Sequence, residues 1–430
     1  MASEWRTLSL REAKVELIDC DHRTPPPATE GYPYVAIPQL RNGRINFSDA
    51  RRITEAHFID WTRKAKPIEN DVILSRRCNP GETAFVPPDV KFALGQNLVM
   101  LRADGTEVYP PFLRWLVRGP EWWEQIGKFL NVGAVFDSLR CADVPKFQLL
   151  VPPLAEQRAI AHILGTLDDK IELNRKRNET LEAMARALFQ SWFVDFDPVR
   201  AKAEGRDPGL PADIAALFPD SFEPSELGPI PKGWSVGKFS DVADNSRRSI
   251  SPDEIPEQTP YIALEHMPRK CIALSDWGMA DGVESGKLAF NANDILFGKL
   301  RPYFHKVGVA PIDGVCSTDI VVITPHTPEW FGFVLGHASS DAFVEHTNAG
   351  STGTKMPRTN WADIARYPVI LPPETLAKAY TAKIRPAISK IIASIHQNHT
   401  LAALRDTLLP KLISGELRLK HAEQMMEEAL

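Results

Sequence analysis

Three features of the sequence predict an α+β protein in which two globular domains are separated by a long antiparallel two-helix coiled coil, with an internal pseudo-twofold duplication. The chain has 430 residues, well above the roughly 100–150 residues of an ordinary domain. The same short motifs recur in the same order in both halves. In each half, apolar runs separated by proline and glycine are followed by one long amphipathic segment.

The repeated motifs keep a nearly constant spacing along the chain. VPPLAEQ begins at Val151 and LPPETLA begins at Leu371, an offset of 220 residues. DVIL at Asp71 matches DILF at Asp294, at an offset of 223 residues. Because a steady offset over a long span is the signature of a repeat, we interpret the chain as one unit of about 200 residues that has been duplicated.

The two globular domains are assigned to residues 1–150 and 234–373. Both stretches contain short apolar or β-branched runs bounded by turn formers, which is typical of strands. The segment from Pro111 to Leu130, which carries three tryptophans, is predicted to be helical. Each domain is therefore predicted to be α+β.

Residues 151–193 are predicted to form the first long helix. No proline lies between Leu154 and Phe193, and Glu156 occupies the first turn, where the helix dipole favours a carboxylate. Its seam recurs at alternating steps of four and three, as in a coiled coil: Ile160, Leu164, Leu167, Ile171, Asn174, Asn178, Leu181, Ala185, Leu188 and Trp192.

Residues 374–420 are predicted to form the second long helix. Its seam is Ile384, Ile388, Ile391, Ile395, Asn398, Leu401, Leu404, Leu408 and Leu412. Pro386 predicts a kink or a late helix start, since proline cannot donate the helical hydrogen bond. We expect the seams of the two helices to pack against each other. The alternative is that each seam packs on its own globular domain.

Polar residues interrupt both seams at matching positions, Asn174 and Asn178 in the first helix and Ser394 and Asn398 in the second. A buried asparagine can select the register of a helix pair at some cost in stability. The other interpretation is that these side chains are hydrated or face a partner subunit. The sequence leaves both interpretations open.

Two further segments are predicted to lie outside the domains and helices. Residues 194–233 contain seven prolines, four glycines and eight acidic against four basic residues. That composition is typical of a solvated linker. Residues 421–430 are predicted to be a tail.

The sequence contains neither the dinucleotide- nor the phosphate-binding glycine loop, and it lacks H-E-x-x-H and the Asn/Asp-Pro-Pro-aromatic motif of adenine methyltransferases. His396 and His399 are interpreted as packing residues. We therefore predict no catalytic residue, metal site or cofactor on this chain. Its five cysteines are widely spaced, and no apolar stretch has the roughly 18 residues of a membrane span. These features predict a cytoplasmic protein without disulfides.

The net charge of −5 excludes a uniformly basic surface but allows local basic patches. Residues 41–77 hold nine basic against five acidic residues. Lys287, Lys299, Arg301 and Lys306 form a weaker patch in the second domain, and Arg76 and Lys299 follow the repeated DVIL and DILF strands at matching positions. A solvated charged surface remains the alternative to DNA contact.

The stretch from Val151 to Gly205 resembles the central conserved region of type I restriction–modification specificity subunits. The resemblance rests on P-P-L-x-E-Q-x-x-I, L-x-x-x-D-x-K-I, N-E-T-L-E-x-M-A-x-x-L-F and S-W-F-V-D-F-D-P-V. G-x-I-P-x-G-W at Gly228 to Trp234 resembles the usual opening of a second recognition domain, and the two-copy plan covers nearly the whole chain. The second helix departs from the pattern, because P-P-E-T-L-A-K replaces P-P-x-x-E-Q-x.

This resemblance implies a DNA-specificity subunit without a catalytic site, acting in antiviral defence. Residues 1–150 and 234–373 would be target-recognition domains, each reading one half of a bipartite asymmetric DNA target. The helices would space them and dock two methyltransferase subunits, which bring S-adenosylmethionine and flip target adenines. Two restriction subunits would supply the ATP- and Mg-dependent cleavage. The rival hypothesis is a non-catalytic scaffold that spaces two protein-binding domains on a coiled-coil rod.

The expected DNA contacts are side chains in loops that can form hydrogen bonds with base edges. They are Arg41, Asn42, Arg44, Arg76, Arg77, Gln96 and Asn97 in the first domain, and Lys299, Arg301, His305, Thr318, Lys355 and Arg358 in the second.

Overall fold

The apolar runs of the first 151 residues form short strands, as predicted, in a computed structural model that describes residues 5–133, 136–351 and 356–430. The strands are β1 (Arg6–Ser9), β2 (Val15–Asp19), β3 (Tyr32–Val35), β4 (Leu40–Arg41), β5 (Arg44–Ile45), β6 (Arg51–Ile53), β7 (Val72–Ser75), β8 (Thr83–Phe85), β9 (Ala93–Leu94), β10 (Leu98–Ala103) and β11 (Gln148–Val151). The helices are α1 (Glu55–Trp61), α2 (Pro110–Leu116) and α3 (Pro120–Phe129). Gly119 and Pro120 divide the helix predicted from Pro111 to Leu130 into α2 and α3, because proline is favoured at the first position of a new helix.

The central part of the chain begins with the long helix α4 (Leu154–Phe189), which continues as a π-helical turn over Gln190–Val194. The helices that follow are α5 (Asp197–Ala203), α6 (Ala212–Ala215), α7 (Phe331–Ala338), α8 (Asp341–Ala349) and α9 (Trp361–Ala365). The strands are β12 (Phe222–Ser225), β13 (Gly228–Pro231), β14 (Ser235–Lys238), β15 (Ala243–Asn245), β16 (Ser249–Ile250), β17 (Pro260–Ile262), β18 (Gly278–Met279), β19 (Lys287–Phe290), β20 (Ile295–Gly298), β21 (Val307–Val309), β22 (Gly314–Cys316), β23 (Ile320–Pro325) and β24 (Pro368–Leu371). The chain ends with the long helix α10 (Glu374–Ile413) and with α11 (Leu419–Ala429).

The chain divides into two compact units. The first unit is Met1–Lys170 with Thr400–Leu430, and the second unit is Ile171–His399. Each long helix contributes one segment to each unit. None of the helices within the described ranges is long and apolar enough to cross a membrane.

The principal sheets of the two units share one topology. In the first unit the antiparallel order is β2-β10-β7-β8, and in the second unit it is β15-β23-β20-β21. Each unit also has a parallel pair, β3 with β9 and β17 with β22. In each unit an early strand pairs with the strand before a long helix, β1 with β11 and β14 with β24. The order of features that repeats in the sequence therefore corresponds to a repeated strand order.

The repeated aspartate of DVIL and DILF has the same local role in both units. Asp71 and Asp294 each directly precede a buried strand, and each carboxylate accepts a backbone hydrogen bond at 2.8 Å from the residue three positions earlier. Each carboxylate also pairs with an arginine, Arg102 and Arg248 respectively. A buried carboxylate needs such partners because its desolvation is costly.

In the second unit, α4 and α10 contact each other in antiparallel orientation. The Asn174 side-chain amide donates to Gln397 Oε1 and Asn398 Oδ1, each at 2.9 Å, and the Tyr380 hydroxyl donates to the Ala185 carbonyl at 3.0 Å. The seam isoleucines of α10 also belong to the buried cluster that contains strands β20 and β23. Both predicted modes of packing, helix on helix and helix on domain, therefore occur together in this unit.

Three expectations about segments differ from the structure. Helix α10 continues through Pro386 without a late start, because its buried isoleucines offset a proline cost of about 3 kcal/mol. Residues 194–233, predicted to be a solvated linker, contain two helices and the β12–β13 hairpin, and they bury Phe196, Val199, Phe218 and Ile230. The predicted tail forms most of α11, with Ala422 and Met426 buried. The high content of proline and acidic residues favoured the prediction of solvated segments, because the apolar residues that anchor them are few.

Candidate nucleic-acid interface

In the first unit, three loops meet where strand β7 ends. The Arg76 N–H donates to the Asn97 carbonyl at 2.9 Å, and the Leu139 N–H donates to the Arg76 carbonyl at 2.9 Å. Arg77 forms a β-bridge with Ser138. The candidates Arg76, Arg77, Gln96 and Asn97 are thereby brought together, and Arg77 and Gln96 are exposed. We refer to Arg76, Arg77, Gln96 and Asn97 as the first loop cluster.

The second unit contains the equivalent arrangement where strand β20 ends. The Lys299 N–H donates to the Asp319 carbonyl at 2.9 Å, and the Thr359 N–H donates to the Lys299 carbonyl at 3.0 Å. Leu300 forms a β-bridge with Arg358. Lys299 therefore forms the same pattern of backbone hydrogen bonds as Arg76, to residues of two further loops. We refer to Lys299, Arg301, Thr318 and Arg358 as the second loop cluster.

Positive charge is concentrated within the second loop cluster. Burial lowers the pKa of Lys299, and Arg358 and Arg247 lower it further, while Asp319 opposes them. Arg358 pairs with Asp319 at 2.7 Å but remains exposed. Because several cations share one carboxylate, this surface would gain energy from a nearby phosphate or from an acceptor on a base edge.

Two of the predicted contacts do not agree with their positions in the structure. Arg44 is only half exposed, and its guanidinium donates to the Asp168 carbonyl at 2.9 Å. His305 is buried, with Nε2 3.0 Å from the Ser339 carbonyl and Nδ1 3.2 Å from the Asp341 carboxylate. Internal hydrogen bonds hold both side chains, so either would have to break these contacts in order to reach a base edge.

The remaining candidates have different surroundings. Arg41 and Asn42 are exposed at the β4–β5 hairpin, where Asn42 has a positive φ of 52°. Arg301 is half buried with a φ of 52°, and Thr318 is exposed beside Asp319. Lys355 lies outside the described residues. No contact in the structure tests any of these side chains as a DNA ligand, so they remain predictions.

Two arginines near the loop clusters were not among the sequence candidates. Arg247 is exposed and close enough to Lys299 to affect its pKa. Arg51 lies over the Tyr34 ring at 4.8 Å, and both line a surface cavity of about 570 Å³ that Gln96 also borders. A pair of adjacent arginines, Arg247 and Arg248, was the available sequence signal for the first of them.

One group of residues within the described ranges has the spacing of a metal site. Atoms of Asp19, Cys20 and His22 lie within 4.8 Å of one another. However, the Cys20 thiol donates to the Gly95 carbonyl, and burial, followed by Asp19, raises its pKa to about 11. The Lys64 ammonium also lies 3.8 Å from the Asp19 carboxylate. The group fits a metal ion poorly, because a metal requires the thiolate.

Comparison with known proteins relates the sequence to one family. Residues 26–183 match the family described as type I restriction modification DNA specificity domain. The chain is 27% identical over 381 residues to the MjaIX type I restriction enzyme specificity subunit of Methanocaldococcus jannaschii, covering 86% of this chain and 82% of that one. It is 25% identical over 407 residues to the HindI specificity subunit of Haemophilus influenzae, covering 82% of this chain and 88% of that one.

A solved structure has the same fold over nearly the full length. The type I restriction–modification S subunit from M. genitalium superposes with a TM-score of 0.54 at 15% identity, covering 95% of this chain and 96% of that chain. At this level of identity the likeness concerns the fold alone. The resemblance of the Val151–Gly205 motifs to specificity subunits is confirmed by the family match and the curated relatives.

Proposed function

We propose that the chain is a member of the type I restriction–modification specificity family, which its matches to that family support. In this function it reads DNA sequence for a type I complex, one half of a bipartite target with each loop cluster. The observation that carries this proposal is the equivalence of Arg76 and Lys299. Both follow a buried strand of the same sheet topology and form the same backbone hydrogen bonds to two further loops. Duplicated scaffolds with different side chains suit two different half-sites.

The chemistry of the two clusters supports base reading. Arginine and lysine form hydrogen bonds with guanine O6 and N7, and asparagine and glutamine with adenine N6 and N7. The first loop cluster offers both kinds of side chain, whereas the second offers mainly cations beside Asp319. Since these side chains differ between the copies, the target is asymmetric.

The chain itself is proposed to be non-catalytic. Its paired helices would act as an antiparallel coiled-coil spacer produced by gene duplication, and would dock two methyltransferase subunits. Those subunits would bind S-adenosylmethionine and flip the target adenine. Two restriction subunits would use ATP and Mg, and the complex would act in the cytoplasm. The rival function, a scaffold for two protein-binding domains, predicts no sequence-specific effect on DNA.

Mapping methylated adenines across the genome of a host that lacks other adenine methylation tests the proposal. Cells that express the chain with a matching methyltransferase subunit should methylate one bipartite asymmetric motif, and cells without the chain should lose it. Arg77→Ala should relax one half of the motif, because a bidentate base contact contributes about 1–3 kcal/mol of discrimination.

Arg11→Ala serves as a matched control, since Arg11 is an exposed arginine of the first unit outside the loop cluster. It should leave the motif unchanged. Methylation without a bipartite motif, or a motif independent of the chain, would favour the scaffold function instead.

A further inference from the structure

One buried carboxylate in the first unit binds three arginines. Asp168, on α4, is only 2% exposed. Its Oδ1 accepts a hydrogen bond from Arg405 at 2.6 Å, and its Oδ2 lies 3.3 Å from Arg44 and 3.8 Å from Arg114. Its backbone carbonyl also accepts a hydrogen bond from Arg44. Asp168 is the aspartate of the L-x-x-x-D-x-K-I motif, for which the sequence suggested no role.

The three arginines come from three different elements of the first unit. Arg44 begins strand β5 of the β4–β5 hairpin, Arg114 lies in α2, and Arg405 lies in α10. Asp168 therefore joins the hairpin and α2 of the globular part to both long helices. The same hairpin carries the exposed candidates Arg41 and Asn42.

Aromatic rings hold the arginines in place. The Arg114 guanidinium lies 4.3 Å from the Phe85 ring and 4.4 Å from the Trp115 ring, and Arg44 lies 5.7 Å from Phe85. Burial by itself would raise the pKa of Asp168, but Arg44, Arg405 and Arg114 outweigh it and keep the pKa below its ordinary value. Without this carboxylate, the three guanidiniums would lose the negative charge that they share, although Arg405 would keep its pair with Asp406.

The second unit lacks this arrangement at the equivalent positions. At an offset of 220 residues, Asp168 corresponds to the buried Ile388. There a different carboxylate, Glu182, accepts hydrogen bonds from the Ile272 and Ala273 N–H groups at 3.0 and 3.1 Å. At the compared position the described part of the second unit thus has no counterpart of Asp168, and the effect of this carboxylate should be confined to one recognition domain.

We propose that Asp168 is a positioning residue that orients the β4–β5 hairpin and its neighbouring loops for reading the first half of the DNA target. The inference rests on the proposed function and adds a residue that determines specificity without contacting DNA. A residue that only stabilised the fold would affect both halves of the target equally through the amount of folded protein.

The test compares Asp168→Asn with Asp168→Glu and Asp169→Asn in the complete methyltransferase complex. Asn keeps the size of the side chain but removes the charge, Glu restores the charge, and Asp169 is an exposed neighbour on the same helix. At a temperature well below thermal unfolding, Asp168→Asn should reduce discrimination at one half-site by about tenfold and leave the other half-site strict. Asp168→Glu should recover part of this loss, and Asp169→Asn should match the wild type.

If Asp168→Asn fails to fold, Arg44→Gln is the second variant, because Asp168 then keeps Arg114 and Arg405. Arg44→Gln should reduce sequence discrimination at the same half-site. An unchanged motif, or an equal loss at both half-sites in proportion to unfolded protein, would overturn the inference. A wild-type chain that produces no bipartite motif would instead refute the proposed function, so the two failures are distinguishable.

Discussion

Buried ionisable residues show how single side chains depend on their surroundings in this protein. Asp71 and Asp168 are both almost fully buried, and both carboxylates lie next to arginine partners. His337, in α7, is buried as well, but its neighbours are the rings of Phe189 and Phe333, with centroids at 4.9 and 4.5 Å. Its Nε2 has no hydrogen-bond partner within the described residues. Burial lowers the pKa of His337 to about 3.

We expect His337 to make the second unit less stable in acid. The folded pKa is about 3 and the ordinary value is 6.5, so the unfolded chain binds an extra proton between these values. The stability that depends on neutral His337 is therefore complete above about pH 6.5. As the pH falls towards 3, the free energy of unfolding decreases by up to about 1.4 kcal/mol per pH unit. Urea unfolding at pH 7, 6, 5 and 4 measures this slope.

His337→Leu should flatten that pH dependence, because leucine fills a similar apolar site without titrating. His162→Gln, at an exposed position of the first unit, is the matched control and should retain it. An equally steep slope in His337→Leu would show that other groups cause the loss of stability in acid.

At the scale of elements, the long helices follow the sequence pattern closely, but their polar seam residues play unequal roles. Asn174 donates to two acceptors on α10, so it is the residue suited to fixing the register. Asn178 Oδ1 and Ser394 Oγ are buried and have no hydrogen-bond partner within the described part of the chain. The register interpretation therefore fits Asn174 better than Asn178.

The combined change Asn178→Leu with Ser394→Ala should stabilise the protein by about 1 kcal/mol, because an unsatisfied buried polar atom costs roughly that amount. Asn174→Leu is the comparison variant and should destabilise, since Gln397 and Asn398 would lose their donor. Thermal unfolding monitored by circular dichroism measures both. A lower melting temperature for the Asn178/Ser394 variant would mean that these atoms have partners in solution.

The segments predicted least well lie between the regular elements. The Pro-rich residues 194–233 bury several apolar side chains, among them Phe196 and Phe218. The S-W-F-V part of the preceding motif lies in the π-helical turn Gln190–Val194, with Trp192 and Phe193 buried. Isolated apolar residues among prolines have no periodicity, so the sequence could not distinguish an anchored segment from a linker. The strands β7 and β20 could be predicted because their apolar runs are continuous.

For the whole molecule, the charge balance bears on how the proposed DNA target would be bound. The net charge is −5, and the loop clusters offer only a few cations each. Affinity for DNA depends mainly on the number of phosphates that are neutralised. Partner subunits are therefore expected to supply much of the phosphate affinity.

The isolated chain should accordingly bind duplex DNA weakly, with a Kd of about 1 μM or more at physiological salt. Adding the methyltransferase subunit should tighten binding and steepen its dependence on salt concentration. Fluorescence anisotropy with a labelled duplex, titrated between low and physiological salt, measures both effects. Tight, salt-resistant binding by the chain alone would contradict this expectation.

The α+β class and the two long helices could be predicted from the chain alone, because periodicity and turn residues are local properties. Three features could not be predicted in this way. They are the inward direction of His305 and Arg44, the anchoring of residues 194–233, and the cluster around Asp168. Asp168 and Arg405 are 237 residues apart in the sequence, and their contact exists only because the folded first unit brings α4 and α10 together. Such contacts between residues distant in the sequence decide which charged side chains face solvent and which stabilise the interior.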